Sequence, residues 1–402
     1  CERFGELPGA VWCVGQPEIW QIACYYAGIF LLVFGRRYVE AWKRRGTYGE
    51  ENVPGVIIHS NRFQHQIATV MILGLLIGLL TGNFDRGSRV TFLDVGQGDG
   101  IVVETGQGAY LFDCGSTSRK NIGEYVLKPY LKSRGICSLR RVFVSHPDED
   151  HMNGVLELLE NGEEWGITAE QLFLPAIRES ERRETFEQLL AAAEDAGIPV
   201  SYIKCGDEIR DSQLRLLCLH PEENTTLADA NAYSECFYVE VFAKKMKQEA
   251  IDDRKANDAS GGSAIGKISI LLTGDVEGEG ERQLTQRLQA LQESRSLQES
   301  QSLQTTRRLQ EQRGQREFRV DILKVAHHGS GYSTGTEFLA TASPAIAIIS
   351  CGRNNSYGHP HAETLQRLED ARVPWYGTMD YGALTVNVDS HGNRLHGYLS
   401  GK

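Results

Sequence analysis

The amino-acid sequence predicts a layered α/β domain with a sheet sandwich at its centre, preceded by a helical hairpin. Three observations predict it. Short β-branched runs punctuated by Gly and Asp follow one another from Arg89 onward, stretches with helical periodicity interrupt them, and two long apolar runs occupy the first eighty-odd residues. At 402 residues the chain has ample apolar material for a core without relying on disulfides.

The apolar runs come first in the chain: "IWQIACYYAGIFLLVF" (Ile19 to Phe34) and "IATVMILGLLIGLL" (Ile67 to Leu80). Each is a little short of the roughly 20 residues that span a bilayer, and buried core helices are the competing reading. Flanking residues can extend both: Trp20, Tyr25 and Tyr26 suit a membrane interface, and Arg36, Arg37 and Arg62 can snorkel. The loop between them also carries Lys43, Arg44 and Arg45, whereas only Arg3 precedes the first run. By the positive-inside rule that loop is cytoplasmic, which predicts a transmembrane hairpin with everything after Leu80 extracytoplasmic. The chain opens on Cys, not Met, and is expected to be part of something longer.

From Arg89, "VTFLDV", "GIVVET" and "AYLFD" read as strands joined by glycine turns. "IGEYVLKPYLKSRG" is helix-like, "RVFVSH" a strand, and "MNGVLELLE" opens another helix. Further strands are expected at "QLFLPA", "VSYIK", "LRLLCLHP", "CFYVEVFA", "ISILLTGD", "VDILKVAHHGS" and "PAIAIISCG", with helices at "RETFEQLLAAAEDAG" and "AETLQRLEDA". Two low-complexity insertions, near 244–267 and 283–317, interrupt this pattern. In the second, Leu291, Leu297, Leu303 and Leu309 recur every six residues. Six residues turn a helix by about 600°, so the leucines scatter over three faces and a coiled coil is not expected. The division is thus 1–86, the helical hairpin, and 87–402, the layered domain.

Formal net charge is −11, which excludes a whole-protein electrostatic grip on nucleic acid. Nine cysteines show no C-x-x-C pair and no zinc-finger spacing, and most are expected to be small buried hydrophobes.

The richest stretch is "RVFVSHPDEDHMNG" (Arg141 to Gly154). His146, Asp148, Asp150 and His151 fall in one turn between a strand and a helix. Carboxylates and imidazoles crowded at a strand end repel or stay unsatisfied unless a cation holds them. Divalent ions take deprotonated ligands of this kind, and a pair about 3.5–4 Å apart can clamp attacking and leaving oxygens. A capped helix N-terminus with incidental histidines explains Asp150 but not all four residues.

The loop resembles the H-x-H-x-D-H signature of the metallo-β-lactamase superfamily, with Asp148 where the second His usually stands. "FLDVGQGDG" (Phe92 to Gly100), "LFDCGS" (Leu111 to Ser116), "NAYSECFYVEV" (Asn231 to Val241), "ILLTGDVEGEGE" (Ile270 to Glu281), "LKVAHHGS" (Leu323 to Ser330) and "NNSYGHPHAETL" (Asn354 to Leu365) follow in order. As a set they resemble the C-terminal domain of ComEC-type DNA-internalisation competence proteins, over roughly Arg89 to Gly397. The preceding hairpin is similar to the end of that family's membrane channel domain.

The resemblance implies a metallo-β-lactamase-like αββα sandwich and two divalent metal ions, manganese or zinc. His146 and Asp148 would hold one, Asp150 and His151 the other, and Asp275 would bridge. One of His327 and His328 would complete the second position, with His328 favoured. Asp94, Asp99 and Asp113 would orient ligands from behind, although Asp94 can equally close a turn and Asp113 cap a bend. His220 is a further ligand candidate, and Asn231 and Ser234 would line the site. His359 and His361 would join Asp150 in catalysis, protonating a leaving oxygen or gripping phosphate; capping the next helix is the bland alternative. Asp148 makes the first position harder, favouring manganese or magnesium over zinc. The expected function is a membrane-anchored phosphodiesterase or nuclease acting on DNA during uptake, with membrane, DNA and other competence proteins as partners. A DNA-binding or channel-gating domain that does not cut, and a hydrolase of another extracytoplasmic phosphoester, are the alternatives. Arg119, Lys120, Lys128, Lys132, Arg134, Arg140 and Arg141 are the nearest candidates for a phosphate track.

Overall fold

The computed structural model describes residues 14–46, 62–81, 87–178, 182–223, 231–243, 266–305, 319–390 and 392–399. The chain divides into two compact units, 1–85 with 131–136, and 86–130 with 137–402.

The first unit contains two helices, α1 (Ile19–Gly46) and α2 (Arg62–Thr81). They pack on each other: Gly28 leaves room for Leu76, and Gln21 Nε2 donates to the Leu79 carbonyl at 2.7 Å. The expectation of two membrane spans is not confirmed: among the described residues no helix is long and apolar enough to cross a membrane. The apolar run of α1 gives way to arginines and lysines before the helix ends, and that of α2 is shorter still. Both helices nevertheless expose large apolar side chains, among them Tyr26, Phe30, Leu31, Val70, Met71 and Leu75.

The second unit is a two-sheet sandwich. Its first sheet is built from β1 (Ser88–Phe92), β2 (Gly100–Thr105), β3 (Gly108–Cys114), β4 (Ser138–Phe143), β5 (Thr168–Ala169), β6 (Leu172–Pro175) and β7 (Val200–Ile203). The second takes β8 (Glu208–Arg210), β9 (Leu214–His220), β10 (Cys236–Phe242), β11 (Lys267–Leu272), β12 (Ile322–Lys324), β13 (Ile346–Ile349) and β14 (Trp375–Gly377). The chain then returns to the first sheet through β15 (Leu384–Val388), which pairs antiparallel with β1, and β16 (Arg394–Gly397). Spatial order is β16-β15-β1-β2-β3-β4-β6-β7 and β14-β13-β12-β11-β10-β9-β8. β3 and β4 run parallel, as do β11 to β14, so the loops leaving these strands collect on one edge. The functional motifs lie in those loops.

Alternating side chains of the two sheets interdigitate between them, as the period-2 pattern of a half-buried strand requires. Phe112, Phe143 and Phe173 from the first sheet meet Leu216, Phe237, Val239 and Ile270 from the second. Phe143 is the hinge of an aromatic stack, with ring centroids 4.7 Å from Phe112, 4.9 Å from Phe173 and 5.3 Å from Phe237. The outer faces carry helices. α3 (Glu149–Trp165) packs on β3 and against α4 (Glu184–Asp195). α5 (Gly278–Thr305), α6 (Thr336–Ala342) and α7 (Ala362–Asp370) cover the second sheet through Leu284, Leu288, Phe338, Leu339 and Leu368. This is the α/β sandwich that the sequence predicts.

One expected strand departs from the sequence reading. The expected strand "VDILKVAHHGS" is extended only over Ile322–Lys324, then tightens into a 3-10 turn at Ala326–Gly329. The leucine-repeat insertion begins as helix α5, because Leu284 and Leu288 precede the repeat and are fully buried. Residues 244–265 and 306–318, the remainder of the two insertions, lie outside the described residues. Among the described cysteines, Cys114, Cys218, Cys236 and Cys351 are buried free thiols, and Cys137 is disulfide-bonded.

Removing the Phe143 ring leaves its three aromatic neighbours facing a void. Phe143→Ala is expected to cost about 3–5 kcal/mol, read as a lowered midpoint in chemical denaturation followed by near-ultraviolet circular dichroism. An unchanged midpoint would mean that the aromatic stack does not hold the sandwich together.

Candidate metal centre

Three short loops build the site. The first, after β4, carries His146, Asp148, Asp150 and His151 into the start of α3. The second follows β11 and carries Asp275, and the third follows β12 and carries His327 and His328. Two glycines allow these loops to close. A Cβ on Gly98 would lie 2.2 Å from the Gly115 carbonyl oxygen, and one on Gly115 would lie 2.4 Å from that of Glu149. The close approach lets Asp99 N donate to the Asp150 carbonyl at 2.9 Å, tying the β1–β2 loop to the start of α3.

Each of the three inward histidines is held by its Nδ1. His151 Nδ1 donates to Asp113 Oδ2 at 3.0 Å, and His328 Nδ1 to the Ser350 carbonyl at 2.8 Å. His146 Nδ1 lies 3.2 Å from Ser145 Oγ and 3.3 Å from Ser234 Oγ. The anchoring leaves every Nε2 turned into the site, where His146, His151 and His328 all lack a hydrogen-bond partner, as does Asp275 Oδ1. Asp113 is itself fixed by Ser145, whose N–H and hydroxyl donate to its two oxygens at 2.7 and 2.8 Å. A carboxylate behind a ligand histidine sets the tautomer that leaves Nε2 free for metal.

The convergent atoms are close. Asp275 Oδ1 lies 3.1 Å from His151 Nε2, and His328 Nε2 lies 3.4 Å from both Asp275 Oδ2 and Asp150 Oδ2. Asp150, His151, Asp275 and His328 each offer an atom within 4.8 Å of the others. His146 stacks beside His151 with ring centroids 4.2 Å apart, and its Nε2 is 3.8 Å from Asp148 Oδ2. A set of imidazole and carboxylate donors converging in the interior, from Asp150, His151, Asp275 and His328, fits a divalent cation.

Of the consecutive histidines, His328 is the inward one. Both adopt left-handed backbone, with φ of 49° and 54°, a conformation that costs a non-glycine residue of order 1–3 kcal/mol. The turn sends His328 into the fully buried cluster and leaves His327 at the rim, where Nδ1 pairs with Glu277 at 2.9 Å and Nε2 stands 3.8 Å from Asp275 Oδ2. Asp99 lies behind His328, with Oδ1 3.7 Å from its Nδ1 and Oδ2 in a fully buried ion pair with Lys324 at 2.7 Å.

Other residues singled out in the sequence stand elsewhere. Asp94 accepts from Gly96 N and pairs with Arg119 at 3.2 Å, so it closes a turn at the surface. His220 is buried away from the cluster, its Nε2 donating to the Ala232 carbonyl at 2.7 Å, and burial pushes its pKa down to about 4. His361 has both ring nitrogens engaged: Nδ1 accepts from Gly331 N at 2.7 Å and Nε2 donates to the Tyr357 carbonyl at 3.1 Å. Its ring braces the loop before α7 and offers no nitrogen to a substrate. Ser234 sits behind His146 and accepts from Asp275 N at 3.2 Å, while Asn231 lines the opening.

The centre lies at the base of a cleft of about 410 Å³ lined by Gln97, Asp148, Asp150, Arg183, Asn231, Asp275, His327, His328, Tyr357 and His359 among others. Gln97, Tyr357 and Arg183 were not picked out from the sequence. Gln97 Nε2 donates to His359 Nδ1 at 3.2 Å, which leaves the ring proton on Nε2. Burial and the neighbouring His328 and His327 push the His359 pKa down to about 4, so the ring is neutral near pH 7. Asn355 holds this loop in place, accepting from His359 N at 3.0 Å and donating to the Gly352 carbonyl at 2.9 Å. Behind the centre, Glu235 is fully buried with both carboxyl oxygens unpartnered, and burial raises its pKa well above the usual carboxylate range.

Without a cation, protons balance the buried carboxylates. Burial opposes a charged His328, but Asp275 and Asp150 outweigh it and raise its pKa to about 10. Burial likewise opposes the charged form of His151, and Asp275 and Asp113 overcome it, holding the ring well above the imidazole range. The stabilisation from His328 in the metal-free protein is therefore complete below about 6.5, its ordinary value, and is lost as pH rises through about 10. Loading a divalent ion at pH 7 is expected to release on the order of one proton from His328 or more, measured by titration calorimetry in buffers of different ionisation enthalpy. Metal uptake without proton release would overturn His328 and His151 as ligands.

The metallo-beta-lactamase superfamily profile matches residues 93–200, the segment that contains Asp99, Asp113 and the loop from His146 to His151. The chain is 29% identical over 332 residues to ComE operon protein 3 of Bacillus subtilis (strain 168), covering 78% of this chain and 35% of that protein. It is 26% identical over 375 residues to Recombination protein 2 of Haemophilus influenzae (strain ATCC 51907 / DSM 11121 / KW20 / Rd), covering 90% and 38%. Competence protein ComA of Neisseria gonorrhoeae is 24% identical over 315 residues, covering 77% and 33%. The chain thus spans about a third of the length of these relatives. Competence-named homologues thus cover most of the chain, and the segment that matches the metallo-beta-lactamase superfamily houses the histidine and aspartate loop.

Proposed function

We propose that the chain is a membrane-anchored, metal-dependent phosphodiesterase that cuts DNA during uptake. The observation that carries the reading is the convergence of Asp150, His151, Asp275 and His328, with His146 stacked beside them, at the base of an open cleft. His146 and Asp148 would hold one divalent ion, Asp150, His151 and His328 the other, with Asp275 between them. Ions held there supply charge stabilisation on phosphoryl oxygens and a nucleophile near neutral pH. Asp148 favours manganese by making the first position more oxygen-rich.

The protein's own groups contribute the rest. His359 is kept neutral, with Gln97 fixing the tautomer that leaves the proton on Nε2, and that N–H suits a hydrogen bond to the charge developing on a departing alkoxide. His327, braced by Glu277, stands on the same rim. Asp113, Ser145 and Ser350 hold the ligand rings still, so the site needs little rearrangement when substrate arrives.

Lipid contact for α1 and α2 is supported by their exposed apolar side chains, and the disulfide at Cys137 favours an oxidising, extracytoplasmic compartment. A second reading, hydrolysis of a smaller extracytoplasmic phosphoester, is favoured by one specific observation. Among the described residues, none of the lysines and arginines expected to form a phosphate track lines the cleft.

The purified chain is expected to cut DNA with manganese, and better with manganese than with zinc. Asp275→Ala should remove both bound metal and activity, whereas His359→Ala should retain metal and lose about 10²-fold in kcat. Single-stranded DNA, double-stranded DNA and bis(p-nitrophenyl) phosphate are assayed side by side, with metal content measured on the same samples. Cleavage of the small diester with both DNAs intact would replace the nuclease with the second reading. A reporter fused after Gly397 is expected outside the cytoplasm, and a cytoplasmic signal would reverse the orientation.

A further inference from the structure

We infer that Arg183 is the substrate-phosphate grip of this site, and that its ion pair with Asp148 makes the grip conditional on metal. The inference rests on the phosphodiesterase reading and names a residue and an order of binding within it.

Arg183 is the one Lys or Arg lining the cleft among the described residues; Asp148, Glu149, Asp150, Glu184 and Asp275 line it with carboxylates. A phosphodiester approaching so many carboxylates needs a positive partner, and a planar guanidinium offers two parallel donors to phosphate oxygens. The guanidinium is half exposed and already pointed at the centre, with Nη1 3.1 Å from Asp148 Oδ1.

Asp148 has the position of a helix cap without the role. It stands at the N-cap of α3 with extended backbone, φ −94° and ψ 151°, yet its side chain makes no capping hydrogen bond. Its carboxylate is divided instead between the two systems, Oδ1 on Arg183 and Oδ2 3.8 Å from His146 Nε2. An imidazole at this position would have no negative charge to pair with Arg183. The carboxylate therefore creates a coupling: while metal is absent, Asp148 neutralises the guanidinium, and when Asp148 turns to a divalent ion, the guanidinium is left for phosphate. Metal binding and phosphate binding then favour one another, and linkage requires the coupling to be reciprocal.

Arg183 is the N-cap of α4 but makes no side-chain cap bond there, so its replacement leaves the helix start unchanged. The test uses the full chain, with Mn²⁺ alone and thymidine 5′-monophosphate as probes in titration calorimetry. Without metal, wild type and Arg183→Ala should bind the nucleotide equally weakly. With saturating Mn²⁺, wild type should bind roughly tenfold or more tightly than Arg183→Ala, and Arg183→Lys should fall between them. Arg183→Ala should also bind Mn²⁺ several-fold more tightly than wild type, because Asp148 is released. Asp148→Asn should bind the nucleotide without metal more tightly than wild type does. Equal nucleotide affinity of wild type and Arg183→Ala in Mn²⁺, or unchanged Mn²⁺ affinity in Arg183→Ala, would overturn the inference. A chain that cuts no DNA yet shows this Mn²⁺- and Arg183-dependent binding keeps the inference and removes the nuclease. A chain that cuts DNA with the same KM when Arg183 is alanine keeps the nuclease and removes the inference.

Discussion

The contact on which the rest of the site depends is the fully buried Asp275 carboxylate between His151 and His328. A carboxylate in that setting is tolerated only if positive charge faces it, since an unpaired buried ion costs several kcal/mol. The two imidazoles hold its pKa well below the usual carboxylate range against the opposing effect of burial. In the metal-free chain this makes the pair of rings cationic, and the charge they carry stands where a divalent ion's would. The cluster is thus electrostatically balanced in two ways, by protons or by metal. Exchange between them is a matter of pH and metal supply, with no need to refold the loops.

The surrounding fold exists to keep three rings aimed at that carboxylate. Each ring is anchored at Nδ1 by a different element: Asp113 at the end of β3, the serines flanking His146, and the Ser350 carbonyl after β13. Because these anchors come from both sheets, the sandwich must close before the site can form. The left-handed backbone at His327 and His328 is the complementary cost, accepted where packing on both sides leaves no alternative. Two histidines in sequence end up with separate duties because one turn rotates one ring inward and the next outward.

Much of this was legible in the residues themselves. Period-2 apolar runs located most strands, and the crowding of His146, Asp148, Asp150 and His151 marked the loop that enters the candidate metal centre. What stayed hidden depends on tertiary neighbours. Arg183 lies in a charged stretch, "RESERRE", that reads as a solvated helix start, and nothing local says that α4 delivers it to Asp148. Gln97 and Asn355 carry no charge or metal-ligand chemistry, yet they set the tautomer of His359 and the shape of its loop. His361 and Asp94 fail for the converse reason: their residue types suit chemistry, but nearby backbone groups and Arg119 occupy them. The apolar runs of α1 and α2 were read correctly as helices. Among the described residues no helix is long and apolar enough to cross a membrane, and both of these helices carry polar or charged residues at one end.

The acidity of the cleft follows from the same charge logic. On the proposed phosphodiesterase reading, carboxylates that bind divalent ions well also repel a phosphodiester while the ions are absent, so a site with this lining would stay closed to that substrate until loaded. A strongly basic lining would attract nucleic acid in every state and hold the product after cleavage. One guanidinium, set against a carboxylate with a second possible partner, gives a weaker and conditional attraction. That arrangement agrees with a chain of net charge −11, in which attraction for an anion has to be created locally and cannot come from the protein as a whole. Metal in such a centre would act before any bond is broken, by turning a repulsive cleft into a receptive one.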